Sequence, residues 1–280
     1  MGLFNKKEKH ASFVVDETKK TLHQNLDFTA TEQYKLLRTN LDFVLPAGEK
    51  CPVIGITSST RGEGKSTTAI NLSYVLAEKG SKVLLIDGDL RLPSVAKKME
   101  FENTIGLTDL LMGKEVQIEA LRSSLLENWY ILPSGEIPPN PSELLGSVRM
   151  EKVLENMRKS FDYIIIDLPP VNIVSDAVSI SRFITGMLVI MREGYTERKE
   201  LKICLRQLEL SNVKILGCVM TYAQSSGGYY NRYKKYKKYK KYKYYGKHAH
   251  YGEYAYEYGY GYGQKKSSEA KTANQKDKKL

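Results

Sequence analysis

The residues with chemical potential begin at Ser59-Thr60-Arg61-Gly62-Glu63-Gly64-Lys65-Ser66-Thr67, which joins an apolar run at 53–57 to a helical pattern. Gly62 and Gly64 leave the backbone free to turn its amides around a phosphate, where a side chain would obstruct. The positive end of the following helix adds to the attraction. Lys65 is placed to neutralise β- and γ-phosphates, and the Ser66 hydroxyl to ligate Mg2+. Arg61, Gly62, Glu63, Gly64, Lys65, Ser66 and Thr67 are therefore the expected ATP-binding loop, with Ser59 standing where the strict pattern has its first glycine. Two further segments follow aliphatic runs: Asp87-Gly88-Asp89-Leu90-Arg91 and Asp167-Leu168-Pro169-Pro170. Carboxylates at the C-terminal ends of parallel strands share the sheet edge on which ligands bind. Asp167 fits a metal-holding aspartate, acting directly or through water. Asp87 and Asp89, two residues apart, would face the same side of an extended strand. One would complete the metal shell while the other orients an incoming hydroxyl or takes its proton. The expected catalytic set is Lys65, Asp87, Asp89 and Asp167, and the expected metal set is Ser66, Asp87 and Asp167. Arg91 stays between two roles, touching a phosphate as part of the ATP site or pairing with one of these aspartates. A lone strand-end aspartate is commonly a helix cap, but three around one phosphate loop are poorly explained that way.

The elements that must position these groups alternate along the chain. Apolar runs fall at 53–57, 82–86, 129–132, 163–166, 187–191 and 215–220, most of them continuous, as in strands buried on both faces of a parallel sheet. Helical patterns lie between them, for example at 65–79, 142–160 and 197–210, and Tyr34, Leu37, Leu41 and Val44 mark an earlier helix capped by Thr29 or Thr31. This alternation implies an α/β fold: a doubly wound, mainly parallel sheet flanked by helices. The expected organisation is a polar arm at 1–28, a P-loop domain at 29–226 and a tail at 227–280.

Charge separates the tail from the body. The formal charge is +11, yet residues 229–280 hold fifteen Lys and Arg against four Asp and Glu, leaving 28 of each sign over residues 1–228. A neutral body with a basic appendage argues against a nucleic-acid-binding core. The tail has almost no aliphatic residue, so it cannot build a core and is expected to be disordered when free. Fourteen of the twenty tyrosines lie there: Tyr229, Tyr230, Tyr233, Tyr236, Tyr239, Tyr242, Tyr244, Tyr245, Tyr251, Tyr254, Tyr256, Tyr258, Tyr260 and Tyr262. Lysine with interleaved aromatics also suits single-stranded RNA or an anionic membrane surface. Cys51, Cys204 and Cys218 fit neither a zinc site nor a redox pair, and their apolar neighbours suggest buried packing in a reducing cytosol. No apolar run approaches the roughly 20 residues of a membrane span. The start MGLFNKKEKH is too polar for a signal peptide, and Lys6 stands where a myristoylation signal needs Ser or Thr. Membrane attachment would come through a partner or the tail's charge.

Taken together, these segments resemble the bacterial tyrosine kinase family, the cytoplasmic kinases of capsule and exopolysaccharide synthesis. The family's TSxxxGEGKST loop is matched by Thr57 to Thr67, its DxDxR motif by Asp87 to Arg91 and its DxPP motif by Asp167 to Pro170. Segments at 105–111 and 138–145 are also similar. The resemblance implies a MinD/ParA-like P-loop fold and transfer of the γ-phosphoryl of MgATP to tyrosine. The acceptors would be the tail tyrosines, reached from one subunit to the next in a ring, an octamer by resemblance. It further implies a membrane adaptor of the polysaccharide co-polymerase type as activator, as in the Gram-positive branch, and a cognate tyrosine phosphatase, with no nucleic-acid partner. The kinase would lie in the cytoplasm at the inner face of the membrane. Glu32, Lys35 and Arg38 match the family's ExxRxxR oligomerisation motif, with lysine replacing one arginine. Spacing alone fits a solvated charged face equally well.

Two other functions compete. A MinD/ParA-like ATPase switch would share the fold, but its KGGxGK loop carries an early lysine, where this chain has Thr60 and Arg61. An adaptor that binds ATP without turnover would not need Lys65, Ser66 and all three aspartates.

Overall fold

The continuous apolar runs become strands with both faces covered. The computed structural model describes residues 26, 28–100, 105–114, 121 and 125–223. The arm at 1–25, residue 27 and the tail from 224, with all fourteen of its tyrosines, lie outside the described residues. Six strands form one sheet: β1 (Val53–Ser58), β2 (Val83–Asp87), β3 (Trp129–Leu132), β4 (Tyr163–Asp167), β5 (Gly186–Arg192) and β6 (Ile215–Thr221). Their order is β3-β2-β4-β1-β5-β6, and every pairing is parallel. The chain winds one way from β1 through β2 and β3, returns to fill β4, and then continues on the other side of β1. This is the doubly wound sheet expected from the alternation.

Period-two alternation sorts each buried strand between two cores. Val53, Leu84, Ile86, Ile164, Ile166, Met187 and Val189 face one cluster, while Ile54, Val83, Leu85, Ile165, Leu188 and Ile190 face the other. The second cluster is covered by α1 (Phe28–Val44), α2 (Lys65–Glu78) and α3 (Val95–Lys98). The first is covered by α4 (Leu107–Leu111), α5 (Pro141–Leu145), α6 (Val148–Arg158), α7 (Asp176–Ser179) and α8 (Arg198–Leu210). Among the described residues no helix is long and apolar enough to cross a membrane.

Three expectations needed correction. The helical pattern at 142–160 is two helices, because Ser147 turns out of the helix and its hydroxyl accepts from the Met150 amide at 3.2 Å, capping α6. Thr29 and Thr31 lie inside α1, which starts at Phe28, so neither is its cap. Cys51 and Cys204 are buried, but Cys218 is exposed. It lies on β6, the last strand at one edge of the sheet, where several positions are exposed or half-buried.

Candidate active site

The sheet places the C-terminal ends of β2, β4 and β1 side by side. The loop after β1 turns through Gly62 at φ +77° and Gly64 at φ +94°, a left-handed region that favours glycine. Its carbonyls are held from the other side: Arg192 Nη1 donates to Gly62 O at 3.2 Å and Thr221 Oγ1 to Glu63 O at 2.7 Å. In a trans peptide the amide points opposite to the carbonyl, so this tethering leaves the loop's N–H groups for an anion. Glu63 is fully buried. Its carboxylate accepts from Ser59 Oγ at 2.9 and 3.1 Å, from the Thr60 amide at 2.9 Å and from Thr196 Oγ1. Ser59 thus has a use in place of the customary glycine, as a donor to the loop's own carboxylate. What Glu63 can offer a nucleotide is its backbone.

The three aspartates come together, though not by the geometry the two-residue spacing suggested. Asp87 is the last residue of β2, and Asp89 lies beyond the strand in a turn, so the same-face argument does not apply. The turn is closed by the Asp89 amide donating to Asp87 Oδ1 at 3.3 Å and the Leu92 amide donating to Asp89 Oδ1 at 3.1 Å. It brings Asp89 Oδ2 to 4.0 Å from Lys65 Nζ. Gly88 is needed in this turn, since a Cβ there would meet Ile166 Cγ2 at 2.8 Å and Asp167 O at 3.0 Å. Asp87 Oδ2 accepts from the Ser94 and Val95 amides at 3.0 and 2.9 Å, so it caps α3 as well as facing the site.

Asp87 and Asp167 are register partners at the ends of adjacent strands, and both are fully buried. Burial, then the Asp167 charge, pushes the Asp87 carboxyl above its ordinary range. Burial also raises Asp167, while the Lys65 ammonium and the nearby Ser66 hydroxyl offset part of the rise. Among the described residues neither Asp167 oxygen has a well-formed hydrogen bond. A buried carboxylate with both oxygens unmatched is costly unless a cation completes it. The residues present therefore fit Mg2+. Among the described residues no three acidic, His or Cys side chains form a cage of their own, so Mg2+ held here would take its remaining ligands from phosphates and water.

Arg91 pairs with a fourth aspartate rather than with Asp87, Asp89 or Asp167. Its Nε and Nη2 pair with Asp176 Oδ2 and Oδ1 at 3.0 and 3.1 Å, and Nη2 also donates to Ser142 Oγ at 3.1 Å. Asp176 was not singled out from the sequence, since 85 residues separate it from Arg91 and no motif marks it. Arg91 still lines a cleft of about 160 Å3 with Arg61, Gly62, Lys65, Ser66 and Asp89. A larger cavity of about 590 Å3, around Asp42, Phe43, Pro46 and Tyr163, sits at the opposite sheet edge and holds none of these groups. On α1, Lys35 Nζ pairs with Glu32 at 3.2 Å, and Arg38 donates to the Val75 carbonyl of α2. Both are contacts within the chain.

A parallel sheet of this order, with a phosphate loop after its central strand β1 and aspartates ending the next two strands on one side, β4 and β2, defines a P-loop nucleotide-binding protein. Residues 51–190 match the family described as an AAA domain. Tyrosine-protein kinase YwqD of Bacillus subtilis (strain 168) is 40% identical over 179 residues, covering 62% of this chain and 76% of that protein. The chimerical protein CapA2B2 superposes with a TM-score of 0.64 at 34% identity, over 68% of this chain and 83% of that one. The kinase domain of the Escherichia coli tyrosine kinase ETK gives 0.63 at 32% identity, over 70% and 78%. Septum site-determining protein MinD of Pyrococcus horikoshii OT3, complexed with Mg-ADP, gives 0.52 at 26%, over 63% and 72%. The chain belongs to the bacterial tyrosine kinase family. Its enzyme class is protein-tyrosine kinase, and the likeness to MinD is one of fold.

Proposed function

We propose that this protein transfers the γ-phosphoryl group of MgATP to tyrosines of residues 229–262 on a second copy of itself. The observation that carries the reading is Asp167, buried with both oxygens unpartnered beside Lys65 and Ser66. ATP would take the loop amides from Gly62 to Thr67, and Ser66, Asp87 and Asp167 would hold Mg2+. Bound Mg2+ neutralises charge on the β- and γ-phosphate oxygens. Lys65, now nearest Asp89, would turn to the phosphates and leave that carboxylate free to take a proton. The tyrosine oxygen attacks the γ-phosphorus, the bond to the β–γ bridging oxygen breaks, ADP leaves, and the phenolic proton passes to Asp89. Arg91, through Asp176, holds the aspartate-bearing turn in place.

The same reading places the kinase in the cytoplasm at the inner face of the membrane, activated by a membrane adaptor of the polysaccharide co-polymerase type. It assembles as a ring, an octamer, in which Glu32, Lys35 and Arg38 meet a neighbour, and a tyrosine phosphatase reverses the modification. Its output is control of capsule or exopolysaccharide synthesis. The kinase reading is favoured over an ATPase switch by the tyrosine tail and by Thr60 and Arg61 in the early loop. Incubation with γ-labelled ATP and Mg2+, with an adaptor fragment present, should yield phosphotyrosine in the intact protein and none in Lys65→Met. Labelled inorganic phosphate without phosphotyrosine would instead support the switch.

A further inference from the structure

The cleft at the phosphate loop is lined by groups of two kinds. One is polar: Arg61, Gly62, Lys65, Ser66, Asp89, Arg91 and Ser94. The other is apolar, formed by Leu92, Pro169, Pro170, Ile173 and Val174. Leu92 is 54% exposed and Ile173 45%, large aliphatic side chains left open to water at the edge of a charged site. A triphosphate has no use for them. Both are built onto the reacting groups. The Leu92 amide donates to the Asp89 carboxylate, and the Ile173 and Val174 amides donate hydrogen bonds back to the Pro170 carbonyl at 3.1 and 3.3 Å. Pro169 is anchored in turn by Thr57 Oγ1, which donates to its carbonyl at 2.8 Å. The apolar lining therefore follows directly from Asp89 on one side and Asp167 on the other.

We infer that Leu92 and Ile173, over the Pro169-Pro170 floor, form the seat for the ring of the acceptor tyrosine, a deepening that rests on the kinase reading above. The tail's composition identifies the occupant. Between 229 and 262 there is no Leu, Ile, Val, Met, Phe or Trp, so apart from two histidines tyrosine is the only ring-bearing side chain there, fourteen times over. A ring gripped between two aliphatic side chains buries area that an exposed Leu and Ile otherwise lose. Its hydroxyl sits at the far end of a rigid side chain and can reach down to Asp89 while the lysine-rich backbone stays outside. Serine and threonine carry the hydroxyl one carbon from the backbone and have no face to place on the seat. The seat thus selects tyrosine and orients its oxygen. After transfer the ring carries a phosphate close to Asp89 and Asp167, and like charge favours its departure.

The test uses full-length Lys65→Met protein as acceptor and wild-type, Leu92→Asn, Ile173→Asn and Leu92→Met proteins as donors, all with MgATP and an adaptor fragment present. Phosphotyrosine formation is followed against acceptor concentration, and MgATP affinity by titration with a fluorescent ATP analogue. Loss of an apolar ring contact predicts an acceptor KM raised by about tenfold or more in the two Asn variants. Nucleotide Kd should move less than twofold, and Leu92→Met should stay near wild type. Both side chains are exposed, so the variants should fold, and retained nucleotide binding verifies it. An unchanged acceptor KM overturns the inference. So does a nucleotide Kd that weakens in step with KM, which would make the apolar lining a seat for adenine. If the wild-type donor fails to label the acceptor at all, the kinase reading falls and the seat falls with it. Transfer indifferent to Leu92 and Ile173 removes the seat alone.

Discussion

Asp167 ends a strand whose last four residues are buried, and among the described residues neither of its oxygens has a well-formed hydrogen bond. Burial holds its carboxyl above the ordinary range, against the opposing pull of Lys65 and Ser66. The native protein holds that proton more tightly than the unfolded chain. The stabilising effect is complete below the unfolded value of about 4 and is lost as pH rises through the elevated native value. Asp167→Asn removes the ionisation, so nucleotide-free variant at pH 8 should be more stable than wild type by about 1–3 kcal/mol. Denaturant titration should show the difference shrinking toward pH 4, and added MgATP should stabilise the wild type far more than the variant. Glu63 makes the opposite case, a buried carboxylate with its acceptors filled. Glu63→Ala strands Ser59, the Thr60 amide and Thr196, and should cost at least about 2 kcal/mol. Because the loop loses its brace, nucleotide Kd should weaken as well. The phosphate loop and the strand-end aspartates were legible because each is a short local motif. The Glu63–Thr196 and Arg91–Asp176 links were not, since they join residues 133 and 85 apart that no periodicity relates.

At the scale of elements, the continuous runs were readable because a parallel sheet between two helix layers leaves no polar face to alternate with. The register then carries Asp87 and Asp167 to adjacent strand ends, a pairing that spacing along the chain cannot specify. Local capping explains the main misreading. Residues 142–160 keep helical periodicity throughout, but Ser147 offers its hydroxyl to Met150 and starts a second helix. Ser147→Ala should destabilise the fold by about 1 kcal/mol, read as a lower urea midpoint with unchanged slope, and leave nucleotide affinity alone. The exposure of Cys218 has a similar origin, since residue type says apolar while only the sheet order reveals an edge.

Over the whole molecule, a body with equal numbers of acidic and basic side chains carries a tail that holds the entire net charge and fourteen tyrosines. Each phosphate adds about −1.5 to −2 charges, so about six modified tyrosines would offset the surplus. The basic character of the protein is thus confined to the segment that the proposed reaction would neutralise. Fold and nucleotide chemistry follow from the body, whereas the proposed role of the tail as acceptor rests mostly on resemblance to the kinase family. The most direct test is to mix wild-type protein with full-length Lys65→Met protein, supply MgATP and an adaptor fragment, and map the phosphates on the Lys65→Met chain by peptide mass spectrometry. Phosphotyrosine confined to residues 229–262 of that chain is the predicted result. ATP consumption with no phosphotyrosine on the tail of either chain would contradict the account.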